Sequence, residues 1–126
     1  MATTSNQRGA LATSRGRITR PQKAVIYGPE GVGKSTLASL TPEAVFLDTE
    51  GGTHHLDVTR LDAVSSWEEI KAAVARLATA RHSFRTLVID TADWLEKRLA
   101  EHLCAKANKD SIEDFGYGKG WVLLAE

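Results

Sequence analysis

Gly28-Pro29-Glu30-Gly31-Val32-Gly33-Lys34-Ser35 fits the pattern G-x-x-x-x-G-K-[ST], and no other stretch of the chain limits its fold so tightly. The pattern carries weight only between a strand and a helix. "KAVIYG", Lys23 to Gly28, is a short apolar run with β-branched residues that ends at glycine, which predicts a buried strand. Lys34 to Leu40 predicts a short helix stopped by Thr41-Pro42. In that setting the glycines let the main chain turn tightly and aim successive N–H groups at phosphate oxygens, while the start of the helix adds its positive dipole end. Lys34 then reaches the β and γ phosphates, Ser35 places its hydroxyl on a magnesium ion, and Thr36 supports the α phosphate through its N–H and hydroxyl. The predicted nucleotide-binding set is Gly28, Pro29, Glu30, Gly31, Val32, Gly33, Lys34, Ser35 and Thr36. A glycine-rich turn with a solvated lysine would explain each residue singly, but not strand, loop, lysine, hydroxyl and helix together.

The rest of the chain repeats the alternation of apolar runs and helical periods. "AVFLD", Ala44 to Asp48, and "TLVID", Thr86 to Asp90, read as two more buried strands, with Val58 to Leu61 as a candidate fourth. "SSWEEIKAAVARLATA" has Ser66 and Glu69 at capping-box spacing and one apolar stripe of Ile70, Ala73, Val74 and Leu77. "DWLEKRLAEHLCAKAN" sets Leu95, Leu99 and Leu103 four residues apart, a second amphipathic helix. Strands that lack in-out alternation and are separated by helices predict an α/β fold: a mostly parallel sheet flanked by helices on both faces. Such a sheet normally has more strands, and "WVLLAE" opens a further helix, so the pattern predicts the N-terminal half to two-thirds of a core, truncated at its C-terminal end.

Composition narrows the class. At 126 residues the chain has room for one domain. No apolar run approaches the roughly 18 residues of a membrane span. Sixteen basic residues balance sixteen acidic ones, so any nucleic-acid contact must rest on local patches. The imbalance is local: Arg8, Arg15, Arg17, Arg20 and Lys23 all precede the first acid, Glu30. Residues 1–19 are small, polar and basic without period and read as a disordered tail, with the core over 20–126. A single cysteine, Cys104, excludes an internal disulfide, and the N-terminus lacks the apolar core of a secretory signal, so cytoplasmic residence is the expectation.

Three acids stand at strand ends. Asp90 closes "TLVID", where a carboxylate can hold the magnesium shell if that strand brings it beside the loop; the competing reading has Asp90 or Asp93 capping the next helix. Glu50 follows the second strand in "VFLDTEGG" and suits a base that orients and deprotonates a water facing the γ phosphate, against the alternative of ordinary turn chemistry. Asp48, one step inside, reads as structural.

Taken together, "YGPEGVGKSTL", "VFLDTEGG", "LVIDTADWLEK" and "FGYGKGW" resemble the phage nucleotide-binding proteins of the RecA-like type, AAA/RecA-type ATPases linked to single-strand annealing recombination. The resemblance covers Arg20 to Glu126. It implies a RecA-like P-loop core, Mg-ATP as ligand and Glu50 as the catalytic glutamate, with Lys34 beside it. It further implies a ring or filament whose neighbouring subunits complete the ATP site, single-stranded DNA as partner with a single-strand binding protein as helper, and the host cytoplasm as location. The family's polar sensor, second DNA loop and trans-acting basic residues have no counterpart in these residues. "DFGYGKGW" falls where RecA-like proteins place a first DNA-contacting loop, which makes Tyr117 and Trp121 stacking faces and Lys119 a phosphate contact; a turn anchored by its aromatics is the alternative. Two rivals remain at this level: a kinase of a small molecule or nucleotide, and a non-catalytic nucleotide-binding fragment. His54 and His55, adjacent in a loop, read as polar rather than metal-binding, and Trp67 and Trp94 as packing residues.

Overall fold

The computed structural model describes residues 11–62 and 64–126. The expectation of a disordered tail therefore lies, for residues 1–10, outside the described residues. The elements in order are α1 (Lys34–Ser39), β1 (Ala44–Asp48), β2 (Thr59–Arg60), α2 (Trp67–Thr79), β3 (Thr86–Asp90), α3 (Ala92–Ala107), a 3₁₀ turn at Glu113–Phe115, and α4 (Lys119–Ala125). One parallel sheet runs in the order β2-β1-β3. Ala44 stands opposite Thr86 and Asp48 opposite Asp90, so the two strands end together. Parallel pairing, with α2 on the crossover to β3, is the small α/β layout that the apolar runs predict.

The core forms where the strand is central. Val45, Phe46 and Leu47 are at most 1% exposed, and burying each such side chain contributes about 1.5–3 kcal/mol. Leu47 packs with Ile70 and Ala73 of α2, and Leu61, Val64, Trp67 and Leu95 close round them. Trp67 is thus a packing residue, as its place near a helix start predicts. α2 begins on the full capping box: the Ser66 hydroxyl accepts from the Glu69 N–H, and the Glu69 side chain accepts from the Ser66 N–H. Of the predicted stripe, Ile70 and Ala73 are buried while Val74 stays 41% exposed. α3 ends at Asn108, whose left-handed backbone turns the chain out of the helix. Among the described residues no helix is long and apolar enough to cross a membrane.

Three expectations need correction. Lys23 to Gly28 forms no strand: the chain has neither helix nor strand from Leu11 to Gly28, and Val25 and Tyr27 are 89% and 91% exposed. The apolar run reports β-propensity, which is realised only against a pairing partner, and no strand among the described residues pairs with it. β3 is a strand as predicted but is not fully buried, because it is an edge. Leu87 and Ile89, on the same face, are 40% and 42% exposed, so the sheet is not covered on both sides as continuous apolar runs would require. The candidate strand Val58 to Leu61 shrinks to the two residues of β2, held to β1 at Val45 and Phe46.

Candidate nucleotide-binding site

The loop Gly28 to Lys34 leads straight into α1, and its conformation depends on glycine. Gly33 is the N-cap of α1 with φ 97°, and Gly31 has φ 76°. Both lie in the left-handed region, where any other residue is strained. Among the described residues no main-chain carbonyl accepts from the N–H groups of Gly31, Val32, Gly33, Lys34 or Ser35. That row of free donors, opening a helix, is what an anionic oxygen needs. The Lys34 ammonium folds back over the loop and donates to the carbonyls of Gly28 at 2.9 Å and Pro29 at 2.8 Å. It thereby sits on the loop, able to exchange those carbonyls for phosphate oxygens.

Ser35 donates from its Oγ to Oδ2 of Asp90 at 2.5 Å, across 55 residues of sequence. The last residue of β3 and the first turn of α1 are thus in direct contact, although the run before the loop is unpaired. Asp90 is engaged with Ser35 and does not cap α3; Thr91 is the N-cap of that helix, with no side-chain cap bond. A hydroxyl and a carboxylate side by side are two hard oxygen donors of the kind magnesium takes alongside phosphate and water. The residues present fit that ion. Among the described residues no group of three or more His, Cys, Asp or Glu side chains is placed to hold a metal ion.

The ends of β1 and β3 are also joined. The Thr49 N–H donates to the Asp90 carbonyl at 2.9 Å. The Thr49 hydroxyl donates to the Thr91 carbonyl at 2.9 Å and accepts from the Thr91 N–H at 3.0 Å. Thr49 is only 4% exposed, so these bonds form out of water. Glu50 is the next residue. Its side chain is exposed, at the same C-terminal edge of the sheet as Asp90.

Asp48 has the structural role expected of it. Its carboxylate accepts from the N–H groups of Glu50 (3.3 Å), Gly51 (2.7 Å), Gly52 (3.2 Å) and Thr53 (3.0 Å), and from the Thr53 hydroxyl at 2.5 Å. Burial pushes this carboxyl up, but the bonds from Thr53, Gly51 and Gly52 outweigh it and hold Asp48 below the ordinary carboxylate value. Sequence reading missed Thr53 and Arg60. The available signal was an acid at a strand end followed by two glycines, which marks a turn needing a carboxylate to collect its N–H groups.

The aromatic loop lies apart from these contacts in the chain. α4 starts at Lys119, two residues before the helix that "WVLLAE" predicts, so Lys119 and Trp121 stand on a helix rather than in a turn. Tyr117 is fully exposed with φ 43°, and Trp121 is 52% exposed. Tyr117 therefore does not anchor the turn to the core. Gly120 does that work instead: it is buried against Ile112, and a Cβ there would collide with the Ile112 carbonyl oxygen. Trp94 carries the Lys97 ammonium 4.1 Å above its ring, a local contact on α3.

Comparison with curated proteins and with solved structures gives no match. A family model described as an AAA domain matches residues 20–126. With the phosphate loop, the Ser35–Asp90 contact and the parallel sheet in place, the chain belongs to that AAA family of P-loop NTPases.

Proposed function

We propose that this protein binds Mg-ATP at Gly28 to Thr36 and hydrolyses it, as a RecA-like phage ATPase that assembles into a ring or filament and acts on single-stranded DNA in recombination or annealing. The observation that carries the nucleotide part is the 2.5 Å contact between Ser35 and Asp90, which unites the two halves of a metal–phosphate site. Free N–H groups from Gly31 to Ser35 bind the phosphate oxygens, and Lys34 moves from the Gly28 and Pro29 carbonyls onto the β and γ phosphates. Ser35 and Asp90 hold the magnesium ion, which when bound neutralises charge on the phosphate oxygens. Glu50, exposed at the end of β1, orients a water in line with the γ phosphate and takes its proton.

The DNA part rests on the resemblance and on surface chemistry: a fully exposed Tyr117, a half-exposed Trp121 and Lys119 within five residues give two stacking faces and a cation. ATP turnover measured with and without single-stranded DNA tests both parts. Turnover that DNA stimulates, and that Lys34→Ala abolishes, is expected. Turnover that needs a small-molecule acceptor would replace the ATPase reading with a kinase, and nucleotide binding without turnover would leave only a binding module.

A further inference from the structure

Glu50 has a free carboxylate on a turn that contains two glycines, and such a turn holds no position by itself. Gly51 has φ 82°, and neither Gly51 nor Gly52 has a side chain to pack. Yet this turn is the most densely bonded loop among the described residues. Asp48 gathers its four N–H groups, including that of Glu50 itself. The bonding continues outward from Asp48. Thr53, 1% exposed, accepts from Arg60 Nε at 2.7 Å through the same hydroxyl that meets Asp48. A guanidinium N–H can only donate, so the Thr53 proton has one place to go, the Asp48 carboxylate. The relay is therefore directed: Arg60 to Thr53 to Asp48 to the Glu50 main chain. The other Arg60 nitrogens donate to the carbonyls of Thr53, Leu56 (2.7 Å) and Val58 (3.2 Å), closing the loop back onto β2. Arg60 is itself fixed in register opposite Phe46 of the buried strand.

We propose that Thr53 and Arg60 are positioning residues for Glu50, acting through Asp48 to hold the start of the turn where the Glu50 carboxylate meets its water. This rests on Glu50 being the base. A fork of donors is needed at residue 60, because four acceptors converge there from different directions and a lysine ammonium cannot span them. At Thr53 a hydroxyl is needed, and threonine's methyl is not.

The test compares Thr53→Val, Thr53→Ser, Arg60→Met and Glu50→Gln in steady-state ATP hydrolysis, with nucleotide affinity measured separately by a fluorescent ATP analogue. Thr53→Val and Arg60→Met are expected to lower kcat on the order of 10- to 100-fold, since misplacement of a reacting group by about 1 Å costs that much, with nucleotide affinity changed by less than about threefold. Thr53→Ser restores kcat. In a Glu50→Gln background neither Thr53→Val nor Arg60→Met lowers the residual rate further, because the relay acts only through Glu50. Full activity of both Thr53→Val and Arg60→Met beside an inactive Glu50→Gln overturns the relay and leaves the base intact. Normal turnover by Glu50→Gln overturns the base itself. If Thr53→Val does not fold, Arg60→Met decides alone: a fall in kcat that is equally large with and without Glu50 refutes positioning.

Discussion

The phosphate loop leads from an unpaired run into α1, the Glu50 turn joins β1 to β2, and the two are built in opposite ways. From Gly28 to Lys34 the side-chain bonds among the described residues are two, both from the Lys34 ammonium to carbonyls, and the N–H groups of Gly31 to Lys34 meet no main-chain acceptor there. From Asp48 to Arg60 every step is tied: one carboxylate collects the turn, one hydroxyl relays to it, and one guanidinium clamps three carbonyls. The difference teaches which part of the site the chain folds by itself and which part it leaves for a ligand to complete. On the proposed function, the donors that would meet phosphate stay free, whereas the group that would aim a water is fixed beforehand, which would spare that cost in the reaction.

The contrast can be broken most forcefully at Lys34. Lys34→Ala removes the one mobile cation of the loop and is expected to lower ATP turnover at least 100-fold, with the folding free energy changed by under about 1 kcal/mol, because its two bonds are solvent-exposed. Turnover assays and a thermal melt read both quantities; a melt that collapses would show the loop to be structural after all. The turn should respond in the reverse sense. Asp48→Ala leaves four N–H groups and the Thr53 hydroxyl without their acceptor and is expected to cost about 2–3 kcal/mol, seen in urea unfolding as a lower midpoint. An unchanged midpoint would mean the turn is held by something other than this carboxylate.

Hydrogen exchange sharpens the comparison without any mutation. A nonhydrolysable ATP analogue with magnesium is expected to slow the amides of Gly31 to Ser35 about tenfold or more, while those of Gly51 to Thr53 change little, being protected already. Equal protection of both regions would dissolve the distinction. The smallest effect is acid dependence. Asp48 has a folded-state value held below its unfolded value, so its contribution is present above about pH 4 and is lost as pH falls through the lower folded value. Asp48→Asn should therefore flatten the acid limb of the stability curve below about pH 4 and leave its slope above pH 5 unchanged.

How much of this was readable beforehand follows the same division. The Gly28–Ser35 motif and the helix it opens were legible because their chemistry is local: glycines, lysine and hydroxyl at fixed spacing need no knowledge of the rest of the fold. The capping box at Ser66 and Glu69, the strand Ala44–Asp48 and the helix Ala92–Ala107 were legible for the same reason. What the sequence does not display is partnership. "KAVIYG" has strand chemistry but no pairing partner among the described residues, and "TLVID" has the composition of a buried strand but lies at an edge. The Arg60–Thr53–Asp48 relay was invisible because it depends on β2 bringing residue 60 beside β1, a meeting that no single window of residues encodes.

The outer edge of β3 carries a practical lesson for handling the molecule. Among the described residues no strand pairs with this flank, and with two half-exposed aliphatic side chains, Leu87 and Ile89, it is a template on which another copy can lay its own extended segment. Material purified at high concentration is thus expected to scatter light and gain cross-strand spectroscopic signal with time, and charged replacements at both positions should keep it clear.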